Sequence, residues 1–320
     1  MALRTRDPQE LFDLACSGDR GALARLLSMV ERSDEESRAV SRIAYPKSGK
    51  AYTVGLTGAP GAGKSTLTAA TIGVLRKREI EVAILAIDPS SPFTGGAILG
   101  DRVRMQDFAT DPGVFIRSMA TRGHLGGLSL ATPEAIRVLD AVGRQWVLVE
   151  TVGVGQVEVE IAGKADTTVV VVNPGWGDAV QANKAGLMEI ADIFVINKSD
   201  RKGTEETRRD IEQMLDMSDI AHDDWRPPVV ATVASDGTGV EELWETVLRH
   251  REHMEASGKL EARRKFRLGE ELREIVARRL YQRAREICTG PRWDQLQAEV
   301  LERNIDPWTA ADKMLASVQA

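Results

Sequence analysis

The chain has 320 residues, 42% of them apolar and 28% charged, enough for one large or two modest cores in an ordinary globular protein. Its 48 acidic residues outnumber 42 basic ones, for a net charge of -6, which disfavours a nucleic-acid binder with an extended basic face. Cys16 and Cys288 are too far apart in sequence to suggest a metal cluster, no apolar run approaches the roughly 18 residues of a membrane span, and Met1–Arg6 lacks a following signal-peptide core. The expectation is a cytoplasmic protein with neither nucleic-acid nor membrane partners.

Residues 8–30 carry Leu11, Leu14, Leu23, Leu26 and Leu27 at helical spacing and predict an amphipathic helix pair. The charged stretch from Glu31 to Lys50, with Pro46, Ser48 and Gly49, reads as a linker. From Ala51 short β-branched runs alternate with helical segments. Strands are expected at 52–56, 82–87, 114–118, 146–150, 168–172, 193–196 and 229–233, and helices at 65–78, 133–142, 204–217 and 240–250. Several strands are apolar at nearly every position, as parallel strands covered on both faces require. The pattern predicts a doubly wound, mostly parallel α/β sheet with helical N- and C-terminal extensions: 1–46 helical, 47–255 the α/β domain, 256–320 a helical arm. Within the arm, Leu268, Leu272, Ile275, Val276 and Leu280 form a stripe, Thr289-Gly290-Pro291 breaks the first helix, and one further helical segment follows. The stripe reads as a packing face, against its own domain or a second copy.

The segment Gly58-Ala59-Pro60-Gly61-Ala62-Gly63-Lys64-Ser65 matches G-x-x-x-x-G-K-[ST], follows an apolar strand and opens a helix, which is the context a phosphate-binding P-loop needs. Its glycines let backbone N–H groups close around phosphate, and the helix N-terminus adds positive potential. Lys64 is expected to reach the β- and γ-phosphates, and Ser65 to bind Mg²⁺. Asn197-Lys198-Ser199-Asp200 ends a later apolar strand. A carboxylate there can accept from both the N1–H and the 2-amino group of guanine, a donor pair that adenine lacks, so the expected nucleotides are GTP and GDP. Asp88, Asp101 and Glu150 are candidate magnesium carboxylates; each can also be read as a cap or a surface ion pair. Arg117, Arg122 and His124 fall in a Gly-rich stretch where phosphate or partner contact competes with a structural role.

Four blocks then resemble one family: Asp88 to Arg102, Phe115 to Gly127, Glu150 to Gln156 and Lys184 to Asp192. The chain resembles the MeaB/ArgK/MMAA group of P-loop GTPases, the methylmalonyl-CoA mutase-associated chaperones. The resemblance implies phosphate and magnesium contacts at Lys64, Ser65 and Thr66, and a magnesium-centred set of Asp88, Asp101 and Glu150, with Asp88 a candidate for orienting water. It implies a γ-phosphate switch over 152–158, including Val154 and Gln156, and a partner-contacting switch over 177–184, including Asp178, Gln181 and Lys184. It implies guanine contacts at Asn197, Lys198 and Asp200, closed over by Val233-Ala234-Ser235, where the chain departs from the usual Ser-Ala form. It further implies a homodimer through the C-terminal helices and an adenosylcobalamin-dependent acyl-CoA mutase as partner. No glutamine base or arginine finger has a secure position, so hydrolysis is expected to be slow until a partner completes the site.

Three rival readings are weaker. A nickel-delivery metallochaperone wants clustered Cys and His, and the chain has two scattered Cys and four His. An amino-acid-transport-related kinase needs an acceptor pocket with a base, and Asp200 argues against ATP. The acidic balance disfavours an RNA-associated GTPase.

Overall fold

The computed structural model describes residues 5–32, 35–89, 105, 107–121, 127–151, 164–175, 189–217 and 224–319. Two compact units divide the chain, 1–267 and 268–320.

The larger unit is built on seven strands: β1 (Tyr52–Thr57), β2 (Val82–Pro89), β3 (Val114–Thr121), β4 (Trp146–Thr151), β5 (Thr167–Val172), β6 (Ile193–Asn197) and β7 (Val229–Thr232). Their order is β3-β2-β4-β1-β5-β6-β7, and every neighbouring pair is parallel. A parallel sheet needs both faces covered, and the helices of this unit cover them. They are α1 (Pro8–Cys16), α2 (Arg20–Arg32), α3 (Glu35–Ala44), α4 (Lys64–Lys77), α5 (Gly127–Ala141), α6 (Thr204–Asp216), α7 (Val240–Ala256) and the start of α8 (Lys259–Ile287).

Alternation along the strands divides the core between the two faces. Ala83, Leu85 and Ile87 of β2 join Phe115, Met119, Val147 and Val149 beneath α1, α2, α3 and α5. Val82 and Ile84 face the other way, with Tyr52, Val54, Leu56, Leu148, Val169 and Val171, beneath α4 and α7. A third cluster packs Val170, Val172, Phe194 and Ile196 against Ile211 and Leu215 of α6. Every position of β1, β4, β5 and β6 is buried, which is why these runs read as uninterrupted apolar segments.

Two sequence expectations are corrected in this unit. The stretch read as a linker contains α3, which buries only Ser37, Val40 and Ala44. The helix is strongly amphipathic, but its charged residues and the Pro46, Ser48 and Gly49 that follow it carried the linker reading. Its Ser37 hydroxyl donates to Glu134 of α5 at 3.0 Å. The helix expected to open at Pro133 instead starts at Gly127 and carries Pro133 inside it; the proline removes one donor to the preceding turn.

The smaller unit holds the rest of α8, then α9 (Pro291–Leu301) and α10 (Pro307–Gln319). The single terminal helix expected from sequence is therefore two. The break lies at Arg303 with its positive φ of 62° and at Asp306, whose carboxylate accepts from Trp308 and Thr309 N–H as a cap to α10. The α8 stripe is solvent-exposed in the single chain: Leu272 and Leu280 are each 63% exposed and Val276 48%.

Candidate nucleotide site

Connections leave β1 for β2 on one side and arrive from β4 at β5 on the other. In an open parallel sheet the crevice at the strands' C-terminal ends, where the order reverses, is where ligands bind. The P-loop emerges there, between β1 and α4.

The loop requires glycine at two positions for steric reasons. Gly58 has φ 137°, and a Cβ on it would lie 2.0 Å from the Val171 carbonyl oxygen of β5. Gly63 has φ 94°, and a Cβ there would lie 2.4 Å from Asn197 Nδ2. The loop is thus pressed against β5 and β6 more closely than any side chain allows. Lys64 opens α4 and is 7% exposed; its Nζ donates back to the Gly58 carbonyl and to the Ala59 carbonyl at 3.1 Å. An ammonium curled over its own loop beside a helix N-terminus is a cationic cradle that suits phosphate. Ser65 is buried beside it, and Thr66 is half-buried in the same turn.

Asn197 ties three loops together. It is 2% exposed; its Nδ2 donates to the Ala62 carbonyl at 2.8 Å, and its Oδ1 accepts from Thr232 Oγ1 at 3.2 Å and Ala234 N at 3.1 Å. Lys198 has a positive φ of 59° and donates from Nζ to the Gly61 carbonyl at 2.7 Å. Ser199 N donates to the Thr232 carbonyl at 3.0 Å. These bonds fix the backbone on both sides of Asp200, which is exposed. Val233 N donates to the Thr238 carbonyl, pinning the Val233-Ala234-Ser235 turn before α7.

Glu150 is 1% exposed on β4, in register with Leu56 of β1 and Ala86 of β2. Next to it, Thr151 Oγ1 donates to Thr57 Oγ1 at 3.3 Å, joining the ends of β4 and β1. Ser65 and Glu150 supply hydroxyl and carboxylate oxygens, the hard donors Mg²⁺ takes, at the same end of the sheet. The residues present therefore fit a GTP-type nucleotide and its magnesium.

Asp88 lies on β2, two residues beyond the Ala86–Glu150 pair, with its side chain outside what is described. Asp101, Val154, Gln156, Asp178, Gln181 and Lys184 fall outside the described residues, as do Arg122 and His124. Arg117, considered from sequence for phosphate or a partner protein, instead pairs with Glu31 of α2 and donates to Ser28 Oγ at 3.0 Å.

A family model described as methylmalonyl Co-A mutase-associated GTPase MeaB matches residues 23–289. The chain belongs to this family. A Pyrococcus abyssi protein is 50% identical to it over 97% of this chain and 96% of its own length. GTPase ArgK of Escherichia coli is 39% identical over 80% of each chain. The mouse protein named methylmalonic aciduria type A homolog, mitochondrial, is 35% identical over 79% of this chain and 65% of its own. Among solved structures, an LAO/AO transport system kinase superimposes with a TM-score of 0.74 at 26% identity, covering 100% of both chains.

Within this MeaB-family GTPase, the sequence reading missed the hydroxyls that knit the site. Thr57, Thr151 and Thr232 are all 1% exposed or less and close the ends of β1, β4 and β7. The available signal was a threonine as the last residue of each of these three strands, a place where a hydroxyl can satisfy a neighbouring group after the ladder ends. Among the described residues no helix is long and apolar enough to cross a membrane.

Proposed function

We propose that the chain binds GTP and GDP, hydrolyses GTP slowly by itself, and uses the nucleotide state to gate cofactor loading and protect an adenosylcobalamin-dependent acyl-CoA mutase of the methylmalonyl-CoA mutase type, acting as a cytoplasmic homodimer. The observation that carries the nucleotide part is the Asn197 network, which joins the P-loop at Ala62, the strand end that presents Asp200 and the turn at Ala234. A base held by Asp200 and phosphates held by the Gly58–Ser65 loop would share one rigid frame. The partner is supported by the family's description and by the mouse relative's name.

In this reading Lys64 leaves the Gly58 and Ala59 carbonyls for the β- and γ-phosphates, and loop N–H groups take the remaining phosphate oxygens. Ser65, with Asp101 and Glu150, would hold Mg²⁺, whose chemistry is to neutralise charge that builds on the phosphates. Asp88 would orient the attacking water. Val154 and Gln156, and Asp178, Gln181 and Lys184, would carry the γ-phosphate signal to the partner. Phosphoryl transfer of this kind depends on positioning and charge more than on covalent help from the protein.

The test is co-purification of the chain with mutase subunits in GTP, GDP and no nucleotide, alongside GTP turnover with and without the mutase. Association that differs between GTP and GDP, with turnover raised by the mutase, is expected. Association indifferent to nucleotide removes the chaperone reading, and unaided turnover at tens per second, the range of an efficient phosphotransferase, removes the switch reading.

A further inference from the structure

The opposite end of the sheet holds a second polar cluster. Asp166 immediately precedes β5 and Asp192 immediately precedes β6, and they are 1% and 8% exposed. Each serves its own sheet first: Asp166 accepts from Thr53 N at 3.0 Å, and Asp192 from Thr168 N at 2.7 Å. The first turns of α8 then bring three arginines onto them. Arg263 is bidentate on Asp192, at 2.8 and 2.9 Å, and also donates to the Asp166 carbonyl at 2.8 Å. Arg264 is bidentate on Asp166, at 3.1 and 2.7 Å, and Arg267 pairs with the same carboxylate. His250 of α7 lies 3.4 Å from Asp192 and shares a 2.7 Å bond with Thr167, which in turn bonds Tyr52 of β1 at 2.8 Å.

Stability alone is a poor reason for this cluster. Taking several charges out of water costs about as much as their attraction returns, and apolar side chains of similar volume would hold a helix in place equally well. The cluster even carries three guanidinium groups on two carboxylates, with Arg267 Nη1 buried and lacking a hydrogen-bond partner among the described residues. What bidentate pairs supply instead is a fixed position.

The two aspartates are also special in chain order. Asp166 lies eight residues after Glu158, the end of the segment assigned to γ-phosphate sensing, and Asp192 eight residues after Lys184, the end of the segment assigned to partner contact. Each candidate switch thus rejoins the sheet through an arginine-clamped aspartate. At the far ends of the same strands, Val171 abuts Gly58 and Asn197 abuts Gly63.

We propose that Arg263, Arg264 and Arg267 are positioning residues for the GTPase reaction: through Asp166 and Asp192 they set where both switch segments return to the sheet, and they make the first turns of α8 respond to the nucleotide. This rests on the assignment of 152–158 and 177–184 as switches of a GTPase in the preceding section. Because binding is reciprocal, a nucleotide that shifts Asp166 and Asp192 must be shifted in affinity by anything that holds α8.

The experiment is hydrogen–deuterium exchange on the full chain with Mg²⁺ and either GDP or a non-hydrolysable GTP analogue. Amides at 59–66 report binding, and those at 164–166, 189–192 and 259–267 report the clamps. The expected result is protection of 59–66 by both nucleotides, with exchange at the clamp amides differing about fivefold or more between them, the lower end of ordinary allosteric coupling. In Arg263→Gln that difference should disappear while GDP affinity stays within about twofold, and Arg263→Lys should restore part of it. A brace with no positioning role would instead lower the melting temperature equally in every nucleotide state. If Arg263→Gln does not fold, the wild-type comparison still decides. Protected P-loop amides with clamp amides indifferent to the nucleotide overturn the proposal and leave the GTPase reading intact. P-loop amides unprotected by either nucleotide overturn that reading, and the proposal falls with it.

Discussion

The two ends of β5 and β6 solve opposite problems. At their C-terminal ends the chain makes room: Gly58 and Gly63 let the P-loop approach Val171 and Asn197. At their N-terminal ends the chain removes room, filling the edge with Asp166, Asp192, Arg263, Arg264, Arg267 and His250 in direct contact. A site that receives a polyanion needs donors whose own bonds are replaceable, and the bonds of Lys64 to the Gly58 and Ala59 carbonyls are of that kind. A junction that must keep its geometry needs bonds that are not replaceable, and buried bidentate pairs are of that kind. The contrast sets a loop with replaceable bonds at one end against a clamp that ties the strand starts to α8 at the other.

The comparison can be broken first at Lys64. Lys64→Ala removes the charge aimed at the transferring phosphate, and GTP turnover should fall by about 100- to 1,000-fold, the range for loss of a preorganised electrostatic donor. The fold should survive, because the Gly58 and Ala59 carbonyls that Lys64 bonds are loop groups that water can satisfy. Single-turnover hydrolysis beside a thermal melt checks both halves. Next comes Asp200→Asn, which offers guanine one donor and one acceptor in place of two acceptors. GDP affinity should fall by about 100-fold, as expected for two charge-assisted hydrogen bonds replaced by one mismatch. Xanthosine diphosphate, which presents an acceptor where guanine has its amino group, should gain affinity. Calorimetric titration with the two diphosphates decides; equal losses for both would remove Asp200 from base recognition.

How much of this was legible beforehand differs between the two ends. The loop at Gly58 to Ser65 and the turn at Asn197 to Asp200 could be placed from sequence because each is local: a few residues fold into one loop whatever the rest of the chain does. Periodicity likewise located every strand to within a few residues, since buried parallel strands leave continuous apolar runs such as Thr168 to Val172. The clamp was not readable. Asp166 and Arg264 stand 98 residues apart, and Arg264 looks like any other charge in an Arg- and Glu-rich helix. Nothing local marks it as facing inward. Long-range polar pairing leaves no period to read. Helix α3 was missed for a different reason: its buried face of Ser37, Val40 and Ala44 is well separated from its charged face, but the segment is short, charged overall and runs into Pro46, Ser48 and Gly49.

A smaller effect tests the clamp through pH. Burial pushes the Asp192 carboxyl up, but His250 and Arg263 outweigh it and hold the group down at about 2, against an ordinary 3.8. A carboxylate depressed in the fold contributes stability that is complete above its unfolded value, near pH 4, and is lost as pH falls towards 2. Asp192 should thus supply about 2 kcal/mol of the stability lost across that window. Denaturant unfolding of wild type and Asp192→Asn at pH 6 and pH 3 should show the variant losing about 1 kcal/mol less on acidification, since pH 3 lies only part-way through the window. An identical acid loss in both would mean that Asp192 is not held by charge.

The smallest expected change lies back at the nucleotide end, at Thr232. Its hydroxyl is fully buried and donates to Asn197 Oδ1, the same oxygen that takes Ala234 N–H. Thr232→Val keeps the volume and removes one donor from that oxygen, so about 1 kcal/mol should be lost, the net worth of a neutral hydrogen bond. Where the loss appears is informative. Because Asn197 also holds the Ala62 carbonyl, loosening it should raise the Kd for GDP about fivefold, a slightly smaller free-energy change than the stability loss itself. A melt shifted with GDP affinity untouched would show that Thr232 braces β7 alone. Affinity lost in step with stability would make Asn197 the shared support of the phosphate loop and the base-closing turn.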